Sequence, residues 1–213
     1  GTDTSITREV IAPRNWNAEW EENFQPVIID EFCGIRAHFH APLQNVQHEI
    51  IITPKMSFGT GHHATTHLMI QSMQPIDFNG KQVLDFGTGT GVLAILAERL
   101  GAKPILAIDN DEWSITNAEE NIALNHCSNI TIQQAERLEM STEFDIILAN
   151  INKHVLLANM EGIKQHLTLD GVVIMSGLLI GDRPDIEKCA VNNGLKVLEC
   201  KTRGDWMCLL LKK

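Results

Sequence analysis

Short apolar runs of strand length alternate with segments of helical period through most of the chain. Strand-like runs fall near Gln82 to Phe86, Ile105 to Asp109, Ile130 to Gln133, Phe144 to Asn150 and Val172 to Ser176, each rich in aliphatic residues and bounded by polar or glycine positions. Between them the period changes. Leu93, Leu96, Ala97 and Leu100 recur at i, i+3, i+4 and i+7, and Ile115, Ala118 and Ile122 keep the same spacing, which marks two helices. Such alternation predicts an α/β fold with a doubly wound, mainly parallel sheet that holds ligands at the carboxyl ends of its strands. The end of the chain departs from it. LKVLECKT and WMCLLLKK follow one another with only Arg203, Gly204 and Asp205 between them, which predicts a C-terminal antiparallel hairpin and a seven-stranded sheet.

The front of the chain reads differently. Pro13 to Phe24 places Trp16, Trp20 and Phe24 on one face of a helix whose first turn tolerates proline, a packing anchor. Val27 to Glu31 and Ile35 to His40 are β-like and predict a hairpin turning through Cys33 and Gly34, with a further strand over His48 to Thr53. Residues 1–54 are therefore expected as a lead-in that packs onto a main domain of residues 55–213.

Candidate chemistry concentrates at the first strand of that main domain. In VLDFGTGTG, Val83 to Gly91, the strand ends in an acid and runs into a glycine-rich turn before a helix. Gly87, Gly89 and Gly91 allow positive φ and let a ligand lie against the main chain, the signature of a nucleotide-type loop. A pyrophosphate needs free amides at a helix start, and Asp85 would repel it. The GxGxG spacing is not the dinucleotide fingerprint, and no Gly-Lys-Ser/Thr of a phosphate loop follows. S-adenosylmethionine (SAM), a sulfonium nucleoside without phosphate, is the expected cofactor, with Asp85, Gly87 and Gly89 at its site. One βα unit later, Asp109 closes the run PILAID, where a carboxylate can accept from both ribose hydroxyls. A cap on the following helix is the plainer alternative for Asp109, and that role is assigned to Asp111.

Two further segments carry chemistry. FGTGHHATT, Phe58 to Thr66, packs glycines, hydroxyls and imidazoles just before a helix and is expected to fold over the cofactor, with Phe58 against it and Thr60 and Thr66 as donors. A loop followed by a helix cap is the plainer alternative. His62, His63 and His67 invite a zinc reading, but no carboxylate or cysteine completes a tetrahedral set nearby, so no metal is expected. DIILAN ends at Asn150, an amide that can accept from an incoming amine without ionising; Asn is also common where strands simply stop.

Composition narrows the classes. The 213 residues suffice for one α/β domain with a short extension. No run approaches the roughly 18 to 20 apolar residues of a membrane span, and no signal peptide is evident, so a cytoplasmic protein is expected. The net charge of −10 argues against a nucleic-acid backbone as partner and favours a basic protein or an amine. Five scattered cysteines make neither a disulfide framework nor a zinc site. The chain begins with Gly1 rather than methionine, leaving open whether sequence lies upstream.

Taken together, FGTGHHATT, VLDFGTGTGVLAI, AIDND and LANI, with the aromatic segment RNWNAEWEENFQP ahead of them, resemble the ribosomal protein L11 methyltransferase (PrmA) family. The resemblance runs from about Trp16 to the C-terminus. It implies a Rossmann-like SAM-dependent methyltransferase that modifies lysine ε-amines and an α-amine of a basic ribosomal protein; a monomer is expected, although the sequence does not fix the oligomeric state. It places SAM contacts at Thr66, Gly87, Asp109 and Asn150. Departures are His62 where threonine is usual, Ala64 where proline is usual, and Asn152 where leucine is usual. Family members also carry an N-terminal substrate-recognition domain ahead of the aromatic helix, and only about a dozen residues precede it here. Other readings stand beside this one, among them a small-molecule methyltransferase and a nicotinamide dehydrogenase, the latter disfavoured by the loop spacing and the absence of a recognisable substrate domain. A glutamine or adenine amino methyltransferase would place Asn-Pro-Pro-Tyr at the fourth strand, where Asn150-Ile151-Asn152-Lys153 stands. A binding module that holds SAM and transfers nothing is the reading from a different class.

Overall fold

The computed structural model describes residues 24–55, 57–138 and 141–213; the aromatic helix expected over Pro13 to Phe24 lies, apart from Phe24, outside them. A seven-stranded sheet carries the fold. Its strands are β4 (Val83–Phe86), β5 (Ile105–Asp109), β6 (Ile130–Gln134), β7 (Phe144–Asn150), β8 (Leu167–Leu179), β9 (Lys196–Arg203) and β10 (Trp206–Lys212). They lie in the order β6-β5-β4-β7-β8-β10-β9. The first five pair in parallel, whereas β10 is antiparallel to both β8 and β9. The C-terminal hairpin therefore forms as expected, turning through Gly204 and Asp205, and its second strand inserts between β8 and β9.

Both faces of the sheet are covered, because side chains alternate along each strand. In β7, Ile146 and Leu148 enter one core while Ile147 and Ala149 enter the other. The first core receives Leu68, Met69, Ile70 and Met73 from α1 (Ala64–Met73) and the apolar residues of α2 (Val92–Arg99). The second receives Leu156, Met160 and Ile163 from α4 (Lys153–Gln165) and Ile186 and Ala190 from α5 (Arg183–Asn192). Strand order reverses between β4 and its two neighbours, β5 and β7. That switch point opens a crevice at the carboxyl ends of these three strands.

A separate three-stranded sheet joins β1 (Val27–Ile29), β2 (Cys33–Ala37) and β3 (His48–Ile52). Its hairpin turns at Asp30 and Glu31 rather than at Cys33 and Gly34, which lie inside β2. Both turn residues have positive φ, at 49° and 56°, and Phe32 N–H donates to the Ile29 carbonyl, a tight turn with the twist that a two-stranded ribbon favours. Aspartate tolerates that conformation, which the apolar run VIID had obscured.

The small sheet is attached through α3 (Glu112–Leu124) by an unexpected device. The helical spacing of Ile115, Ala118 and Ile122 implies an apolar inner face, yet the buried residues are Ser114, Asn117, Ala118 and Asn121. The asparagines take up the backbone of β3 and of the segment after it. Asn117 Nδ2 donates to the Thr53 carbonyl at 3.0 Å, Asn121 Oδ1 accepts from Thr53 N–H at 2.8 Å, and Asn125 bonds both backbone groups of Ile51. Asn121 Nδ2 also donates to the Thr90 carbonyl, so one amide ties the small sheet to the glycine-rich loop. Replacing it by alanine leaves a buried N–H and a buried carbonyl unpaired, at about 1–3 kcal/mol each. Asn121→Ala is therefore expected to lower unfolding stability by about 2–4 kcal/mol in urea titration, while Glu119→Ala on the exposed face of the same helix changes it by less than about 0.5 kcal/mol.

Candidate active site

At the switch point the chain leaves three strand ends side by side. Gly87 follows β4, Asp109 closes β5 and Asn150 closes β7, and all three line a cavity of about 550 Å³. Phe58, Thr66 and Gly89 line it as well. Of the residues expected at a cofactor site, six are thus brought together and two are not. Thr60 points to His62, with its hydroxyl 3.1 Å from Nδ1. Asp85 is buried beneath the loop instead of facing the cavity.

The backbone of the glycine-rich loop is fully engaged. Gly87 and Thr88 N–H groups donate to the Ile108 carbonyl, Thr90 N–H to the Phe58 carbonyl and Gly91 N–H to the Thr88 carbonyl. Gly89 N–H donates to Asp109 Oδ2 at 2.9 Å. No amide from residue 87 to residue 91 is left for a phosphate. Asp85 completes the exclusion, since its Oδ2 accepts from Thr88 Oγ1 at 2.6 Å and from Ala94 N–H at 3.2 Å, inside the first turn of α2. A side-chain carboxyl thus pairs one N–H of the helix start from beneath the loop, because Gly91, the residue at the cap position, has no side chain to do so.

The FGTG segment interlocks with this loop. Thr90 Oγ1 donates to the Gly59 carbonyl at 2.8 Å, beside the Thr90 N–H bond to Phe58. A Cβ on Gly89 would stand 2.4 Å from the Phe58 carbonyl oxygen, so only glycine lets the two segments approach this closely. Phe58 remains about half exposed over the cavity.

The histidines of the same run serve separate partners. His63 caps α1, its Nδ1 accepting from Thr65 N–H, and its ring meets Phe58 and Trp206 edge to face. His62 bonds the Gln25 carbonyl and packs on Phe24, and His67, against the Arg203 guanidinium, has its pKa lowered by burial and then by the Arg203 charge. Among the described residues no three His, Cys, Asp or Glu side chains are grouped as metal ligands.

Asn150 has the chemistry of an unused acceptor. Its Nδ2 reaches Thr66 Oγ1 at 3.4 Å, and its buried Oδ1 has no hydrogen-bond partner. A buried orphan oxygen costs about 1–3 kcal/mol and calls for a donor from a ligand in the cavity. Asp109, opposite, is held in place by Gly89 N–H on one oxygen and Asp111 N–H on the other, each of which keeps a further lone pair. Asp111, as expected, caps α3 through Ser114. The cavity therefore offers a fixed carboxylate at one side, an amide acceptor at the other, and no amides free for phosphate along the loop. That donor and acceptor set fits an adenosyl cofactor without phosphates. Sequence reasoning missed Trp206, Ile151 and Gly177, which also line the cavity; a tryptophan at the start of the last strand and a glycine at the end of β8 were the available signals.

Burial pushes the Asp85 carboxyl up to about 7, against the pull of its Thr88 and Ala94 donors and with the charge of Asp109 adding to the rise. In the unfolded chain it ionises near 3.8. Between these values the folded protein holds one more proton, so this contribution to stability is whole below about pH 4 and falls away as pH rises toward about 7. Asp85→Asn, neutral throughout, is expected to remove that decline. Thermal unfolding across this range should show the difference between the native chain and the variant changing with pH; a constant difference would place the ionisation elsewhere.

The whole chain, residues 1–213, matches the family model described as ribosomal protein L11 methyltransferase (PrmA). Ribosomal protein L11 methyltransferase of Phocaeicola vulgatus is 42% identical over 196 residues, covering 91% of this chain and 70% of that protein. The same enzyme of Porphyromonas gingivalis is 43% identical over 198 residues, covering 92% of this chain and 68% of that protein. Among solved structures, ribosomal protein L11 methylase of Lactobacillus delbrueckii subsp. bulgaricus superposes with a TM-score of 0.82 at 32% identity, over 88% of this chain and 98% of that one.

Proposed function

The chain belongs to the ribosomal protein L11 methyltransferase (PrmA) family and is a methyltransferase; from that premise we propose that it moves methyl groups from SAM to lysine ε-amines and the α-amine of ribosomal protein L11 in the cytoplasm. The observation that carries this reading is the pairing of an orphan Asn150 oxygen with a glycine loop whose amides are all engaged. The first suits an amine acceptor, and the second suits a nucleoside without phosphates. Asp109 would hold the ribose hydroxyls, the backbone at Gly87 and Gly89 would pass beside the cofactor, and Thr66 and Phe58 would close over it.

When bound, SAM supplies an electrophilic methyl group on a positively charged sulfur. The protein must then deliver a neutral amine. A lysine with a solution pKa near 10.4 has to lose its proton at a cost of roughly 4 kcal/mol near neutral pH, whereas an α-amine near 7.7 to 8 needs almost none. In this reading no side chain of the cavity acts as a general base. Entry into a half-apolar cavity disfavours the ammonium by desolvation, and Asn150 Oδ1 accepts an amine N–H so that the nitrogen lone pair is aimed at the transfer position. The acidic protein steers a basic substrate toward the mouth.

Asn150→Ala is expected to lower the methyl-transfer rate to purified L11 by about 100-fold while changing SAM affinity by less than about threefold. Mass spectrometry of L11 reads the first quantity and calorimetric titration the second. An unchanged rate would remove Asn150 from the mechanism, and transfer to no ribosomal protein by the native chain would favour a SAM-binding module.

A further inference from the structure

Asn150 does its work from the end of a strand, and its side chain is held by one long hydrogen bond. Its direction therefore depends on the main chain at Asn150 and Ile151. That main chain is packed against β8 more tightly than any side chain would allow. Gly177, with φ at 83°, lies one residue past the Asn150–Ser176 pairing of β7 and β8. A Cβ there would stand 2.3 Å from the carbonyl oxygen of Ile151, 2.7 Å from its carbonyl carbon and 3.0 Å from its nitrogen. These are backbone atoms, so no rotamer change relieves the contact.

The side chain of the same residue is wedged on its other side. A Cβ on Gly87, in the cofactor loop, would stand 2.2 Å from Ile151 Cγ2. Ile151 thus fills a slot between two glycines, one at the end of β4 and one at the end of β8, and both glycines line the cavity with it. The loop that holds the cofactor side and the strand that backs the acceptor side meet at this one residue.

We infer that Gly177 and Ile151 are positioning residues for methyl transfer: the slot between Gly87 and Gly177 fixes Ile151, and through it sets the distance between the Asn150 amide and the glycine-rich loop. The inference rests on the methyltransferase reading above. Gly177→Ala must push the Ile151 backbone away, and a displacement on the order of 1 Å lowers a positioned reaction by about 100-fold. Gly87 and Asp109 lie on the other side of the slot, so cofactor affinity should change by no more than a few-fold.

The test compares Gly177→Ala, Gly181→Ala, Ile151→Ala and Ile151→Val with the native chain. Gly181 lies nearby on the chain, and an added Cβ there meets nothing within 4 Å, so Gly181→Ala serves as the unchanged control. Gly177→Ala is expected to lower kcat for L11 methylation by about 100-fold with the Kd for SAM by calorimetry nearly unchanged. In proton–nitrogen NMR spectra of the ligand-free protein, the Asn150 side-chain amide signal, identified by its loss in Asn150→Ala, should shift in Gly177→Ala and stay in place in Gly181→Ala. Ile151→Ala should lower kcat by about tenfold, and Ile151→Val, which keeps Cγ2, should restore most of that loss. Should Gly177→Ala not fold, the Ile151 pair decides. Full activity with an unmoved Asn150 signal in Gly177→Ala, or equal rates for Ile151→Ala and Ile151→Val, would overturn the inference. Absence of methylation by the native chain would instead strike the methyltransferase reading itself.

Discussion

Every backbone N–H from Gly87 to Gly91 is consumed inside the protein, and the ligand-binding face follows from that constraint. The donors reach Ile108 and Asp109 at the end of β5 and Phe58 ahead of α1, so one short turn draws two separated segments to one place. The helix after the turn would ordinarily leave orphan amides for an anion. Asp85 pairs one of them, Ala94 N–H, from below, with one oxygen shared between Thr88 and Ala94. With the amides of the loop itself committed, the space above it is left for a ligand recognised by other groups.

The same economy of polar groups connects the small sheet to the main one. A helix with an apolar inner face would pack against β3 and leave its edge backbone groups unpaired. α3 instead presents asparagines, whose amides satisfy both the N–H and the carbonyl of Ile51 and of Thr53. Asn121 adds a bond to Thr90, so the segment entering the FGTG run and the loop clasping it share one side chain. Cofactor loop, entry strand and helix α3 form a single hydrogen-bonded frame.

Much of this architecture was legible in the sequence because it obeys strict periods. The strands from β4 to β7 and the terminal hairpin are apolar blocks with clear stops, and Gly87, Asp109 and Asn150 stand at strand ends where an α/β sheet places its ligands. What escaped were features set by tertiary packing. The Asp30–Glu31 turn was hidden within an apolar run. The inner face of α3 reads as Ile115, Ala118 and Ile122 from helical spacing, but the strand it covers needs hydrogen bonds more than contact area. Asp85 and Thr60 belong to the right motifs and still turn away from the cavity, one to brace a helix and the other to meet His62. Ile151, Gly177 and Trp206 carry no motif, and only the meeting of β4, β7, β8 and β10 brings them to the site.

Because the committed amides are the physical reason for preferring a nucleoside without phosphates, the most direct test is competitive calorimetric titration of the chain with SAM and with a nicotinamide dinucleotide. Saturable binding of SAM at one site, unaffected by an excess of the dinucleotide, is the predicted result. Saturable binding of the dinucleotide, or displacement of SAM by it, would show that the loop can free its amides for phosphate and would contradict the account.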